Sequence, residues 1–171
     1  MSEQGSSATS MRQLARACDV QVAALYHYFD SKEALLAAVI AERNYGSRLA
    51  EPLDLDRGAP APERLSGVFR AMWDGAIADE SVWRLLLGEG IRSEPAALPV
   101  GQTLLDAIGP AVAGWVADWV PELADPDAVA DVLMGLMFFG FLRHMFEPDT
   151  DTSAIADTAE AMLVRVVLPA G

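Results

Sequence analysis

Two histidines, one cysteine and several close carboxylate pairs are the side chains of this 171-residue chain from which catalysis or metal binding would be built. None falls into a catalytic spacing. His144 follows Arg143 near the end of an apolar stretch, where a cation interacts favourably with the carbonyl end of a helix, so a structural role is expected. Asp79-Glu80 and Asp149/Asp151 fall at helix boundaries and read as caps or solvated faces. Cys18 has no second cysteine to pair with, which fits a reducing cytoplasm, and it is expected to pack as a small buried apolar residue. There is no glycine-rich phosphate loop, zinc-ligand spacing, nucleophile elbow or Glu-x-x-His pair. The expectation is a protein without enzymatic activity, cofactor or metal.

The remaining histidine, His27, lies in a stretch with much stronger organisation, Ser10 to Ile40. Ser10 with Gln13 is a capping box opening a helix whose apolar face is Leu14, Ala15 and Cys18. Asp19-Val20-Gln21 interrupts the period. A second short helix is expected over Val22 to Tyr28, with Leu25 and Phe29 four apart on one face. Asp30 with Glu33 reads as a second capping box, opening a longer helix with an inward stripe of Leu35, Leu36, Val39 and Ile40. Helix, tight turn and short helix form the helix-turn-helix arrangement, whose second helix enters the DNA major groove.

The string Leu25-Tyr26-His27-Tyr28-Phe29, followed by Ser31-Lys32-Glu33 and Leu35-Leu36, resembles the DNA-binding segment of the tetracycline-repressor (TetR) family of bacterial transcriptional regulators. The motif covers about residues 5 to 40. The resemblance implies a double-stranded DNA operator as partner, contacted from Gln21, Val22, Ala23, Ala24, Tyr26, His27 and Lys32. Tyr26 and Lys32 would position the phosphate backbone. Ala23 and Ala24 offer only apolar contact, for example to a thymine methyl. The chain departs from the family pattern where Asp19 replaces glycine, Gln21 replaces serine, Ala23 replaces glycine and Ala24 replaces threonine. Aspartate tolerates left-handed backbone angles, so the turn is expected to survive; glutamine is a poorer N-cap than serine. The family has a helix of about a dozen residues ahead of Gly5, whereas only Met1 to Gln4 precede it here, so the first helix of the three-helix bundle is expected to be missing.

The net charge of −13 is unfavourable for phosphate binding. Through Arg48, however, five basic residues balance five acidic ones, and the deficit lies downstream. The apolar fraction of 52% hints at a further buried surface such as a subunit interface. The apolar run Val132 to Leu142 is shorter than the ~20 residues of a membrane span. The fold is expected to be all-α: a helix-turn-helix DNA-binding domain over 1-48, a proline-rich linker over 49-62, and a helical effector-binding and dimerisation domain over 63-171. Helical periods run through Glu63–Ala78, Ser81–Arg92, Gln102–Val120, Asp127–Phe146 and from Thr150 onward. Gly88 and Gly90 are expected to loosen the second, and Pro110 to kink or split the third.

The family places an effector pocket in this helical domain, and the aromatic and sulfur residues there are Phe69, Met72, Trp73, Trp83, Trp115, Met134, Met137, Phe138 and Phe141, with His144 as a polar anchor. Core packing is the ordinary fate of such residues; a pocket built from them would take an apolar or aromatic small molecule. The resemblance also implies a homodimer through 127-146 and 153-167. Two readings follow: a ligand-responsive transcriptional regulator, of repressor type, or a dimeric helical small-molecule-binding or interaction module whose head binds DNA poorly.

Overall fold

A computed structural model describes residues 10–42, 49 and 51–168 of the chain. The expectation about the missing first helix lies outside the described residues. Within them the fold is entirely helical: α1 Met11–Ala17, α2 Val22–Tyr28, α3 Lys32–Glu42, α4 Ala61–Ala78, α5 Glu80–Ile91, α6 Leu98–Trp119, α7 Pro126–Phe146 and α8 Thr152–Val167. The chain divides into two compact units. One holds the head helices together with Ser81–Leu105; the other holds the segment up to Glu80 and everything from Asp106 onward.

In the first unit the buried apolar residues include Met11 and Ala15 of α1, Leu36 of α3, Val82 and Leu86 of α5, and Val100 and Leu104 of α6. Helix α5 continues through Gly88 and Gly90 to Ile91, so the glycines do not loosen it.

The second unit is built on α4, α7 and α8, which pack on one another. Pro62 sits in the first turn of α4, where a missing N–H costs nothing. Val68, Phe69 and Trp73 of this helix are almost completely buried, and the rings of Phe69 and Trp73 are near-parallel at 6.4 Å. Asp125 caps α7 by accepting from the Ala128 N–H at 3.0 Å, and Asp151 caps α8 through Ser153 at the same distance. Pro110 neither ends nor splits α6; one helix runs through it.

Helix α7 has the length and composition of a membrane span. Val129, Ala130, Leu133, Gly140 and Phe141 nevertheless form its buried face. Gly140 is the point of closest approach: a Cβ there would come within 2.8 Å of the Trp73 ring and 3.2 Å of Ile155. The proline-rich segment before α4 is held down rather than loose. Arg57 stacks over Trp119 at 4.1 Å and donates to the Asp118 carbonyl at 3.1 Å, and Arg64 donates to the Ala59 carbonyl at 2.9 Å and reaches Glu122.

Candidate nucleic-acid interface

The turn between α1 and α2 is made by Asp19 at φ 53, a left-handed conformation that aspartate accommodates better than most residues. Asp19 N–H donates to the Arg16 carbonyl at 3.3 Å and Val20 N–H to the Ala15 carbonyl at 2.9 Å, which reverses the chain within a few residues. Upstream, the predicted capping box is complete. The Gln13 N–H donates to Ser10 Oγ at 3.2 Å, and the Ser10 N–H donates to Gln13 Oε1 at 2.7 Å. Gln21 stands at the N-cap of α2 without a side-chain cap, as expected for that residue. The start of α3 differs by one position. Ser31, not Asp30, caps it, accepting from the Ala34 N–H at 3.1 Å. A serine hydroxyl next to the first helical residue reaches the orphan N–H more readily than a carboxylate one residue earlier.

Cys18 is exposed, which overturns the expectation of burial. It terminates α1, and the turn carries its side chain outward while Ala15 occupies the buried side. None of Leu14, Leu25 and Phe29 is fully buried either, and α2 contains no buried residue.

The face that α2 leaves open carries the predicted contact residues. Gln21, Ala23, Ala24, Tyr26 and His27 are exposed and Val22 is partly covered. Tyr26 is 51% and Tyr28 77% exposed, and the rings of His27 and Tyr28 meet edge to face at 5.2 Å. A short helix presenting two phenols, an imidazole and two alanines has hydroxyls suited to phosphate oxygens and an apolar surface suited to a thymine methyl.

Residues 1–39 match the family model described as bacterial regulatory proteins, tetR family. Over these residues the chain is similar to the head of tetR-family regulators. No curated protein and no solved structure matches the chain. The tetR-family match coincides with the segment in which the exposed α2 face and the Asp19 turn are found.

Lys32, the remaining predicted contact of this tetR-like segment, is placed differently from the rest. Its side chain is 14% exposed, and Nζ donates to Glu89 Oε2. Glu89, on α5, is completely buried, and its other oxygen accepts from Arg92 at 2.6 Å. Burial alone would raise this carboxyl; the hydrogen bonds from Lys32 and Arg92 outweigh it and hold the pKa below the ordinary glutamate value. Sequence reasoning passed over Glu89. The available signal was its spacing: Val82, Leu86 and Glu89 fall on one helical face, and a carboxylate within an apolar stripe demands a cation.

The ten residues named for an effector pocket are dispersed. Phe69, Met72, Trp73 and Phe141 are core residues of the second unit. Trp115, Met134, Met137 and His144 are partly covered, Phe138 is 47% exposed, and Trp83 belongs to the first unit. His144 Nε2 lies 3.2 Å from Glu80 Oε2, its ring meets Phe141 at 6.2 Å, and Nδ1 is buried without a hydrogen-bond partner among the described residues. Arg143 turns outward to Glu147 at 2.9 Å. A separate open groove of about 470 Å³ is lined by Pro62, Ser66, Gly67, Arg70, Glu160 and Val164, none of them among the ten.

Proposed function

We propose that this chain is a ligand-responsive transcriptional regulator of repressor type, acting in the cytoplasm on a double-stranded DNA operator and not as an enzyme. The observation that carries the reading is the exposed α2 face, Gln21 to Tyr28, displayed by the Asp19 turn inside the tetR-family match. Tyr26 positions the phosphate backbone, His27 reaches further, and Ala23 and Ala24 make apolar contact.

The effector is an apolar or aromatic small molecule taken up in the helical domain. Its polar anchor is His144, whose buried Nδ1 is an unmet hydrogen-bonding group. The homodimer forms through 127-146 and 153-167, where Phe138, Phe139, Met162 and Val166 are exposed. The domain roles are a head over 1-48, a connecting segment over 49-62 and a regulatory body over 63-171.

A specific observation keeps the second reading, a helical binding module with a weak head, in view: Lys32 is already bonded to Glu89. Fluorescence anisotropy against a random duplex pool, followed by selection, separates the two. Tyr26→Phe is expected to weaken every duplex by a similar factor and to leave the salt slope unchanged, because the lost donor is neutral and phosphate contacts carry no sequence information directly. A change in sequence preference at unchanged affinity would remove Tyr26 from the backbone, and no binding to any duplex would leave only the module reading.

A further inference from the structure

Lys32 is the sole lysine of the sequence. It opens α3 immediately after the recognition segment, a place where a cation is unfavourable to the helix because the N-terminal end already carries positive partial charge. Glu89 relieves this from outside the helix. Its carboxylate is fully shielded and both oxygens are occupied, one by Lys32 and one by Arg92. A buried charge is tolerated only while paired, and removing one partner leaves the other uncompensated. Lys32 is therefore tied to a group that has every reason to hold it. An ammonium that bridges to a DNA phosphate must instead present its donors to the surface.

We propose that Glu89 is an internal competitor of DNA phosphate for Lys32. In the conformation described, the ammonium is an anchor between the start of α3 and α5; engagement of DNA requires it to exchange Glu89 for a phosphate oxygen. Glu89 then remains buried with Arg92 alone, so each exchange is opposed by the loss of half of the carboxylate's pairing. Arg92 sets how strongly the exchange is opposed, because it is the partner that stays. The head is thus held in a low-affinity form by a contact from a helix outside the helix-turn-helix, and anything that shifts α5 away from α3 releases the lysine. This rests on the reading of the head as a DNA-binding surface.

The full chain tests it in two arms. In the first, without DNA, acylation by an N-hydroxysuccinimide ester is followed by mass spectrometry of the peptide containing Lys32; apart from the α-amino group there is no other amine to react. Lys32 is expected to react at least tenfold faster in Glu89→Gln than in the wild-type chain, and equal rates overturn the proposal. Circular dichroism and thermal melting check that the variant is folded; if it is not, Glu89→Asp, which keeps the charge but withdraws it from Lys32, takes its place with the same expected direction.

The second arm measures anisotropy with a 20-base-pair duplex over a salt series. Glu89→Gln is expected to bind more tightly and with a slope steeper by about 0.9, the signature of one added phosphate contact. Adding Lys32→Gln to that variant is expected to abolish the gain. A gain that survives Lys32→Gln is a general charge effect and overturns the proposal. If no form binds any duplex, the DNA-binding reading fails and takes the competition with it. If all forms bind with identical slopes, the DNA-binding reading stands and the competition alone is refuted.

Discussion

Asp19 and Glu89 mark what single residues disclosed and what they hid. The left-handed turn at Asp19 was legible because the conformational demand is local: few residue types sit comfortably at φ 53. The Ser10–Gln13 cap was legible for the same reason, its two hydrogen bonds lying within three residues. Glu89 was not, because its environment is set by a residue far along the chain; Lys32 and Glu89 are 57 positions apart. Glu160 is a second residue of this kind. Burial raises its carboxyl; Arg70, 2.5 Å away, opposes the rise and Asp157 adds to it, and the net pKa is above the ordinary glutamate value of 4.5. A raised folded-state pKa means that Glu160 contributes stability only below the unfolded value and costs stability once pH has risen through the folded one. Glu160→Gln is therefore expected to raise the melting temperature at pH 7, with the advantage shrinking toward pH 4. Melting curves at the two pH values check it; an equal gain at both would assign the effect to packing instead of charge. Glu89, with its lowered pKa, has the opposite sign: its contribution is full above 4.5 and lost as pH falls through the folded value.

Helix existence followed from the 3.6-residue period, and the predicted helices recur in the structure with ends displaced by a few residues. Punctuation was overread where packing supplied the missing support. Gly88 and Gly90 stay helical and α6 passes through Pro110. That Gly135 and Gly140 of α7 would let another helix approach closely is readable from the residue type, but which neighbour approaches, and at which of the two, is not. The structure separates them. Gly140 faces Trp73 and Ile155, whereas nothing lies within 4 Å of a Cβ at Gly135. Trp73 is 1% exposed and stacked on Phe69, so it cannot swing aside. Gly140→Ala is expected to cost about 1–3 kcal/mol in overpacking, only partly offset by the ~1 kcal/mol of helix propensity that alanine regains. Gly135→Ala regains the same propensity without the clash and is expected to stabilise the isolated chain by up to ~1 kcal/mol. Urea denaturation of both variants at low protein concentration provides the comparison; shifts of opposite sign from the two sites are the outcome that fits, and destabilisation by both would mean that α7 meets a second neighbour at Gly135.

That second neighbour is the question at the scale of the whole molecule. A chain that is 52% hydrophobic has much apolar surface to cover. Phe138 and Phe139 on α7 and Met162 and Val166 on α8 are 47%, 58%, 48% and 69% exposed, while the opposite sides of the same helices form the core. Helices α7 and α8 pack against each other, so the four residues belong to adjoining elements of one unit. Two copies related by a twofold axis would bury such a face against itself, the most economical closed arrangement for a repeated patch. The like charge of the two copies opposes association, but screening at physiological salt confines that repulsion to about 8 Å. The chain is therefore expected to sediment as a dimer at micromolar concentration in 0.15 M salt. Phe139→Glu is expected to shift it to a monomer while leaving helical content intact, because an exposed position adds no strain to the monomer but an unpaired carboxylate in a buried interface is costly. Sedimentation velocity and circular dichroism on the same samples decide the matter. A wild-type monomer, or a Phe139→Glu chain that stays dimeric, would place the interface elsewhere and leave these aromatic side chains to another partner.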